Sequence, residues 1–203
     1  MQNEDVKFSE WIQQGFDIYK ANLPILILVS LIALVISIAS VGILVGPMMA
    51  GMIVISLRLF DQVEPRPEVG ALFEGFNVFV PSLLYYLAMM VASIVLTIVL
   101  NLLPCIGTLL SVFATSALQA ITIFALPYIV EKKVDAVTAI KASIEQVKPA
   151  FWPMLGFTLV IGILSSLGGL ACGIGMVVTM PLYFTSLAAA YRDVHGRPPQ
   201  AAA

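Results

Sequence analysis

The chain has 203 residues, of which 60% are hydrophobic and 11% charged, and its formal net charge at pH 7 is −2. A water-soluble domain of ordinary composition carries about 25% charged residues, so the low charge and the mean hydropathy of +1.02 argue against a soluble fold. The ten Lys plus Arg and twelve Asp plus Glu residues provide no strongly basic surface, which excludes a nucleic-acid partner. We therefore expect one integral membrane domain spanning residues 1–203.

The first segment, residues 8–21, is predicted to be an amphipathic helix at the cytoplasmic membrane interface. Its apolar and small residues recur at spacings of three and four on one face: Trp11, Ile12, Gly15, Phe16 and Tyr19. Ser9 is a candidate N-cap for this helix. Glu4 and Asp5 do not fit the basic start of a cleaved secretory signal, so we expect the first apolar run to be an uncleaved anchor.

Three long intervals contain no Asp, Glu, Lys, Arg or His: residues 21–57, 75–130 and 149–191. A helix that crosses the hydrocarbon region of a bilayer needs about 20 residues, so each interval has room for two crossings. The predicted fold class is all-α, a polytopic transmembrane bundle of six membrane segments arranged as three hairpins. The hairpins are expected at residues 23–60, 79–130 and 150–191, each preceded by an amphipathic helix on the cytoplasmic side.

The basic residues predict the topology. All ten lie outside the charge-free intervals: Lys7, Lys20, Arg58, Arg66, Lys132, Lys133, Lys141, Lys148, Arg192 and Arg197. Because each hairpin crosses twice, the four segments that flank the hairpins share one side of the membrane. The positive-inside rule makes that side cytoplasmic. We expect a multi-pass protein of the bacterial inner membrane with both termini in the cytoplasm and a flexible tail at 195–203.

The connecting segments carry their own helix signals. Residues 61–78 are read as a cytoplasmic linker, stiffened by Pro65 and Pro67, that ends in a short helix. Residues 134–148 form a second interfacial helix, and Asp135 is its candidate N-cap. Its predicted apolar stripe consists of Ala136, Val137, Ile140, Ile144 and Val147.

The first and third hairpins share a spacing that leaves two readings open. Pro47 precedes Arg58 by eleven residues, as Pro181 precedes Arg192, which fits either a degenerate threefold repeat or independent hairpins. Eleven helical residues rise only about 16 Å. The first hairpin is thus either a short full crossing, with Arg58 extended toward the surface, or a re-entrant element.

Small residues and cysteines suggest packing and cross-linking sites. Every fourth position is small in two stretches: Gly42, Gly46 and Ala50, and Ser165, Gly169 and Gly173. Such residues let helices approach closely in lipid, either within one subunit or at a dimer interface. Cys105 and Cys172 lie in the predicted outer turns, where they form either a disulfide or two buried thiols.

Uncharged polar residues are the remaining candidates for function. Thr115, Gln119 and Thr122 share one helical face, which fits either a polar path or hydrogen bonds between helices. The charge-free intervals hold no titratable group of the kind that ion-coupled pumps use. No phosphate-binding loop, nucleophile elbow or metal-ligand motif is found in the sequence, so we expect no catalytic residues, no metal and no cofactor.

Three phrases of the sequence resemble a known group of proteins. They are GPMMAGMIVISLRLF at 46–60, DAVTAIKASIEQVKPAFWP at 135–153 and MPLYFTSLAAAYRDV at 180–194. They are similar to uncharacterised bacterial six-helix inner-membrane proteins related to the membrane domain of glycerophosphoryl diester phosphodiesterases. The resemblance implies a stand-alone membrane module, and it supplies no catalytic residues because the phosphodiesterase domain itself is missing.

The sequence thus favours a non-enzymatic structural, accessory or lipid-interacting module of the inner membrane. The alternative is a channel or facilitator for a neutral or apolar small solute. The expected partners are membrane lipids and either a second copy of the chain or another membrane protein.

Overall fold

The computed structural model of the protein describes residues 7–103, 106–166, 168 and 174–196, and this described part is helical and contains no strand. Its α-helices, in chain order, are α1 (Phe8–Ala21), α2 (Leu23–Ala39), α3 (Val45–Asp61), α4 (Phe79–Asn101), α5 (Gly107–Thr122), α6 (Ala125–Lys132), α7 (Ala136–Val147), α8 (Phe151–Ser166) and α9 (Ile174–His195). Two 3-10 helices, Val69–Val78 and Lys148–Ala150, lead into α4 and α8. The predicted all-α class is confirmed for these residues.

Three continuous helical stretches are long and apolar enough to cross a membrane: Val69–Asn101, Gly107–Lys132 and Ala136–Ser166. The pair α1 and α2 passes the same test together, but its two helices meet at an angle of 92°. Helices α2 and α3 have 17 residues each, a rise of about 25 Å. The hydropathy pattern predicts long apolar helices, and these stretches agree with that prediction.

Helix α4 has its apolar side chains on the outside of the bundle. Its exposed large hydrophobic residues are Val80, Leu84, Leu87, Met90, Val91, Ile94, Val95, Ile98 and Val99. Ser82, in contrast, is buried. This is the reverse of an amphipathic helix in a water-soluble protein, where the apolar stripe faces the core.

Helix α3 forms the core of the bundle. Its buried residues are Gly46, Pro47, Met48, Ala50, Gly51, Met52, Ile53, Ile55, Ser56, Leu57 and Leu59. The 3-10 helix Val69–Val78 crosses α3 at very short range, because a Cβ atom on Gly75 would lie 2.6 Å from the backbone nitrogen of Gly51. A Cβ atom on Gly51 would in turn lie 2.8 Å from the carbonyl carbon of Leu72, so the crossing requires glycine at both positions, and it brings Glu74 beside Arg58.

Helix α1 packs along α9 and forms part of the bundle. Trp11, Gly15 and Tyr19 of the predicted face are buried, and a Cβ atom on Gly15 would lie 2.5 Å from the Cα of Ser186. The prediction of Ser9 as N-cap is wrong. Helix α1 begins at Phe8, so Ser9 lies within the first turn, and Lys7 occupies the N-cap position without a side-chain cap.

The connecting helices follow the sequence signals in part. Asp135 caps α7 as predicted: its Oδ2 accepts a hydrogen bond from the Thr138 backbone N–H at 3.0 Å, and bonds with Thr138 lower the pKa of this carboxyl. The buried face of α7, however, consists of Ala136, Ala139, Ser143 and Val147, whereas Val137 is 60% exposed. Of the predicted stripe, Ala136 and Val147 therefore lie on the contact face and Ile140 is partly buried against the core, whereas Val137 does not lie on it. Close packing against the bundle places the small side chains of Ala139 and Ser143 there instead.

Candidate functional site

Arg192, near the end of α9, is the centre of a buried ion cluster. Its Nη2 and Nε donate to Asp61 Oδ2 at 2.7 and 3.1 Å, and its Nη1 donates to Glu131 Oε1. The Arg192 side chain is only 5% exposed. Asp61 is the last residue of α3 and Glu131 lies near the end of α6, so one guanidinium joins three helix ends.

In this cluster, burial and the neighbouring carboxylates shift the pKa of Arg192 in opposite directions. Burial by itself would lower the pKa of Arg192, but hydrogen bonds from its guanidinium to Glu131 and Asp61 and the charges of these two carboxylates raise it above its ordinary value. The Tyr191 hydroxyl donates to Glu131 Oε2 at 2.6 Å, while Asp61 Oδ1 is buried with no hydrogen-bond partner in the described part of the chain. Because a buried charge is tolerated only when it is paired, this arrangement holds the three helix ends in one geometry.

A second link ties the first helix to the last. The indole Nε1 of Trp11 donates to Asp193 Oδ2 at 2.9 Å, and the Trp11 ring meets Phe157 of α8 edge to face, with centroids 5.3 Å apart. Trp11 is 1% exposed. The predicted interfacial face of α1 thus contributes its tryptophan to the protein interior.

His195 closes the same end of the bundle. Its Nε2 lies 2.6 Å from the Tyr128 hydroxyl, its Nδ1 lies 3.0 Å from the Tyr191 carbonyl oxygen, and its ring stacks on Tyr191 at 4.3 Å. Burial lowers the pKa of His195, and the charges of Lys132 and Arg192 lower it further against the opposing effects of the Tyr191 carbonyl and Glu131. A neutral imidazole can donate from Nδ1 and accept from Tyr128 at Nε2, which satisfies both neighbours.

Arg58 and Glu74 form the remaining ion pair of this end. Their side chains make a bidentate contact, with both N···O distances at 2.6 Å, and each is a little over one-third exposed. The pair joins α3 to the 3-10 helix Val69–Val78. Through this pair, the Arg192 cluster and the Trp11 hydrogen bond, all four charge-bearing segments of the sequence meet at one end of the bundle; we call this assembly the charged end.

The carboxylates of the charged end are engaged in contacts within the bundle. Asp61, Glu74 and Glu131 each accept hydrogen bonds from an arginine. A shallow cleft of about 470 Å³ lies beside Arg192 and Asp193. Among the described residues, no three His, Cys, Asp or Glu side chains are placed to hold one metal ion.

The three residues of the predicted polar path, Thr115, Gln119 and Thr122, have different surroundings. The hydroxyls of Thr115 and Thr122 donate to carbonyl oxygens of their own helix, those of Ser111 and Leu118, each at 2.8 Å. The Thr122 hydroxyl also lies 3.6 Å from Met89 Sδ of α4, which is a contact between helices. The Gln119 side chain is exposed and lines a cavity between helices.

That cavity has a volume of about 380 Å³ and lies between α4 and the helices α3, α5, α8 and α9. Its walls include methionine and tyrosine side chains, among them Met89, Met180, Tyr85 and Tyr183. We call it the Met/Tyr cavity. It lies in the apolar part of the bundle, away from the charged end.

The small residues predicted for helix packing have different places. Gly46 packs against α4, since a Cβ atom there would lie 2.6 Å from the Ser82 carbonyl oxygen, and Ala50 is fully buried. Gly42 lies in the turn between α2 and α3 at φ +86°, with open space beside it. The Ser165 carbonyl oxygen accepts a hydrogen bond from the Thr179 hydroxyl, which links α8 to α9. Gly169, Gly173, Cys105 and Cys172 lie outside the described residues.

Ser143 is a structural residue that the sequence reasoning missed. Its hydroxyl donates to the Ile121 carbonyl oxygen at 2.9 Å and accepts from the Phe124 N–H at 3.2 Å. These two backbone groups flank the break between α5 and α6, so α7 supplies hydrogen bonds at the interruption. The spacing of small residues at Ala136, Ala139 and Ser143 was the available signal.

Comparison of the chain with protein-family models, with curated proteins and with solved structures gives no match.

Proposed function

We propose that the protein is a polytopic integral membrane protein of the bacterial inner membrane, acting as a non-enzymatic structural, accessory or lipid-interacting module. The observation that carries this proposal is the charged end. Trp11 contacts Asp193, Arg192 contacts Asp61, and Arg58 contacts Glu74. The first two contacts join segments far apart in the chain, while the charge-free intervals 21–57, 75–130 and 149–191 supply the apolar helices.

The exposed surface of the helices supports lipid as the surrounding solvent. Large apolar side chains are exposed along α2, α4 and α5, for example Ile38, Ile98 and Leu109. None of the most apolar window of Val69–Asn101 is buried. A continuous apolar surface of this length is costly in water and favourable in hydrocarbon.

The six membrane segments of the proposal lie within α2, α3, α4, α5 with α6, α8 and α9, and the third hairpin ends at residue 191, so that Arg192 and His195 lie outside it. The segments form three hairpins, and α1, which meets α2 at an angle of 92°, packs against α9 at the charged end. Because the basic residues lie in segments that meet at the charged end, the positive-inside rule places that end and both termini in the cytoplasm. The turns at the opposite end then face the periplasm.

The packing of α3 favours a module over a channel. Eleven of the residues from Gly46 to Leu59 are buried, so the space around this central helix is packed with side chains, and the Met/Tyr cavity lies to one side of it, against α4. The carboxylates of the charged end accept hydrogen bonds from arginines, which favours a structural role for them. Specific, saturable solute flux through purified protein in liposomes would contradict the non-enzymatic module and favour a facilitator for neutral solutes.

Cysteine labelling tests the topology. In a background with Cys105→Ser and Cys172→Ser, a single cysteine is placed at Val41, which is 91% exposed in the α2–α3 turn, or at Glu68, exposed beside the charged end. A membrane-impermeant maleimide should label Val41→Cys in intact spheroplasts and Glu68→Cys only after permeabilisation. Labelling of Glu68→Cys in intact spheroplasts, or release of the chain from membranes by carbonate, would overturn the proposal.

A further inference from the structure

We infer that the Met/Tyr cavity binds a neutral, mainly apolar small molecule that carries one hydrogen-bonding group, held by Gln119. This inference rests on the proposed membrane location, because the cavity opens among helices whose outer surfaces are apolar. Its volume of about 380 Å³ lies within the range of about 300–1,000 Å³ that is typical of small-molecule sites.

The side chains that line the Met/Tyr cavity determine which charge a ligand can carry there. The side chains around the cavity include no Asp, Glu, Lys, Arg or His. An ion bound there would lose its hydration without gaining a counter-charge, which is prohibitive at low dielectric. The ligand is therefore uncharged.

The lining also decides the shape and surface of the ligand. Met89 and Met180 line the cavity together with the rings of Tyr85 and Tyr183. Methionine is unbranched and polarisable, so it adapts to irregular apolar surfaces, and tyrosine rings add flat apolar walls. Walls of this kind bind flexible hydrocarbon groups of different shapes better than they bind a rigid polar molecule.

Gln119 supplies the polar anchor on α5, and Ser165 of α8 lines the same cavity with a hydroxyl oxygen that is buried and has no hydrogen-bond partner in the described part of the chain. The Gln119 amide makes no hydrogen bond within the part of the chain that the structure describes, although it lies on the wall of an apolar cavity. The Tyr85 hydroxyl, in contrast, already donates to the Thr122 carbonyl oxygen at 3.3 Å. An amide left unpaired in hydrocarbon costs free energy that a ligand hydroxyl or carbonyl can recover, since the amide both donates and accepts.

Photolabelling of the full-length chain tests the inference. The protein is reconstituted in phosphatidylcholine vesicles and irradiated with an eight-carbon alcohol that carries a diazirine, and the adducts are located by peptide mass spectrometry. Saturable labelling is expected on residues that line the cavity, with Met89 and Tyr183 the clearest markers, and excess 1-octanol should compete it away. Labelling spread over the outer face of α4 in proportion to exposure would overturn the inference.

Three variants sharpen the test. Gln119→Leu keeps the size of the side chain and removes the anchor, so half-saturation should require roughly three- to tenfold more probe, the equivalent of one hydrogen bond. Ser93→Phe on the cavity wall should weaken the labelling, because the ring occupies part of the space. Val95→Phe is the matched control, because Val95 is exposed on the outer side of the same helix and its replacement should leave the labelling unchanged.

The outcomes separate this inference from the proposed function. If Ser93→Phe fails to fold, Gln119→Leu decides alone, and equal labelling of this variant and the wild type overturns the inference. A chain that withstands a carbonate wash in vesicles but shows no saturable labelling retains the proposed membrane location and loses the ligand site. A chain released by carbonate loses both.

Discussion

The indole nitrogen of Trp11 donates a hydrogen bond to the carboxylate of Asp193 at 2.9 Å, which joins residues 182 positions apart in the sequence. Helix α1 is thus fixed to the end of α9. Burial of the Trp11 ring between α9 and Phe157 of α8 supplies most of the expected energy of this contact, and the hydrogen bond fixes its direction.

Replacement of Trp11 should be far more damaging than replacement of Trp152. Trp11→Ala removes a buried ring and should lower the free energy of unfolding by about 3–5 kcal/mol. Trp152, 68% exposed, is the matched control. Trp152→Ala should change the free energy of unfolding by less than about 0.5 kcal/mol in detergent micelles. Unfolding titrations of the two variants give the comparison, and similar losses in both would refute the packing of α1.

Arg192→Met should destabilise the protein by about 3–5 kcal/mol, because it leaves the carboxylates of Asp61 and Glu131 without their counter-charge. Lys7→Met is the control, since Lys7 forms only an exposed pair with Glu10 at 3.9 Å; an exposed pair contributes at most about 1 kcal/mol. Further replacement by Asp61→Asn and Glu131→Gln should restore part of the lost stability in the same titration. The absence of any recovery would mean that Arg192 acts through packing alone.

Ser143→Ala should weaken the junction of α5 and α6. It removes an acceptor from the Phe124 N–H and a donor to the Ile121 carbonyl oxygen, and an unsatisfied buried group costs about 1–3 kcal/mol. Ser116→Ala is a suitable control, because the Ser116 hydroxyl donates only to Val112 of its own helix. Thermal unfolding and amide exchange at 121–124 should distinguish the two variants, and equal exchange in both would contradict the bridging role.

Gly46→Ala should destabilise the contact between α3 and α4, since the new Cβ would lie 2.6 Å from the Ser82 carbonyl oxygen. Gly162→Ala in α8 has open space around its Cβ and should be neutral or stabilising by up to about 1 kcal/mol, because alanine favours the helix. Paired melting curves measure the difference. If Gly46→Ala were the more stable variant, the two helices could not approach as closely as described.

Stability should fall as the pH is lowered through the titration of His195. Burial lowers the pKa of this imidazole below its ordinary value of 6.5 in the folded protein, so below that pH the unfolded chain takes up a proton more readily than the folded one. The contribution of neutral His195 is fully present above about pH 6.5 and is lost as the pH falls toward the lowered pKa.

Melting curves between about pH 5 and pH 8 check this dependence. His195→Gln keeps polar atoms near Tyr128 and the Tyr191 carbonyl oxygen but does not titrate, so its curve should be flatter over this range. An unchanged slope in the variant would assign the pH dependence to other groups.

Much of the secondary structure could be predicted because its signals are local. The exclusion of charge from 21–57, 75–130 and 149–191 predicts long apolar helices, and the structure contains them. The cap at Asp135 follows from a residue and its third neighbour. The exposure of Val137 and the role of Ser143 could not be predicted in this way, because hydrophobicity along one helix does not reveal how closely a neighbouring helix approaches.

By itself, the sequence determined that the chain forms apolar helices with charges confined to short segments between them, since the cost of burying charge and the helical period both act along the chain. Tertiary structure alone decided that Arg192 meets both Asp61 and Glu131, that Trp11 meets Asp193, and that Gln119 lines the Met/Tyr cavity. These contacts depend on the distance and rotation between helices, which are set by the packing of small residues such as Gly15, Gly46 and Gly51 against a neighbouring backbone.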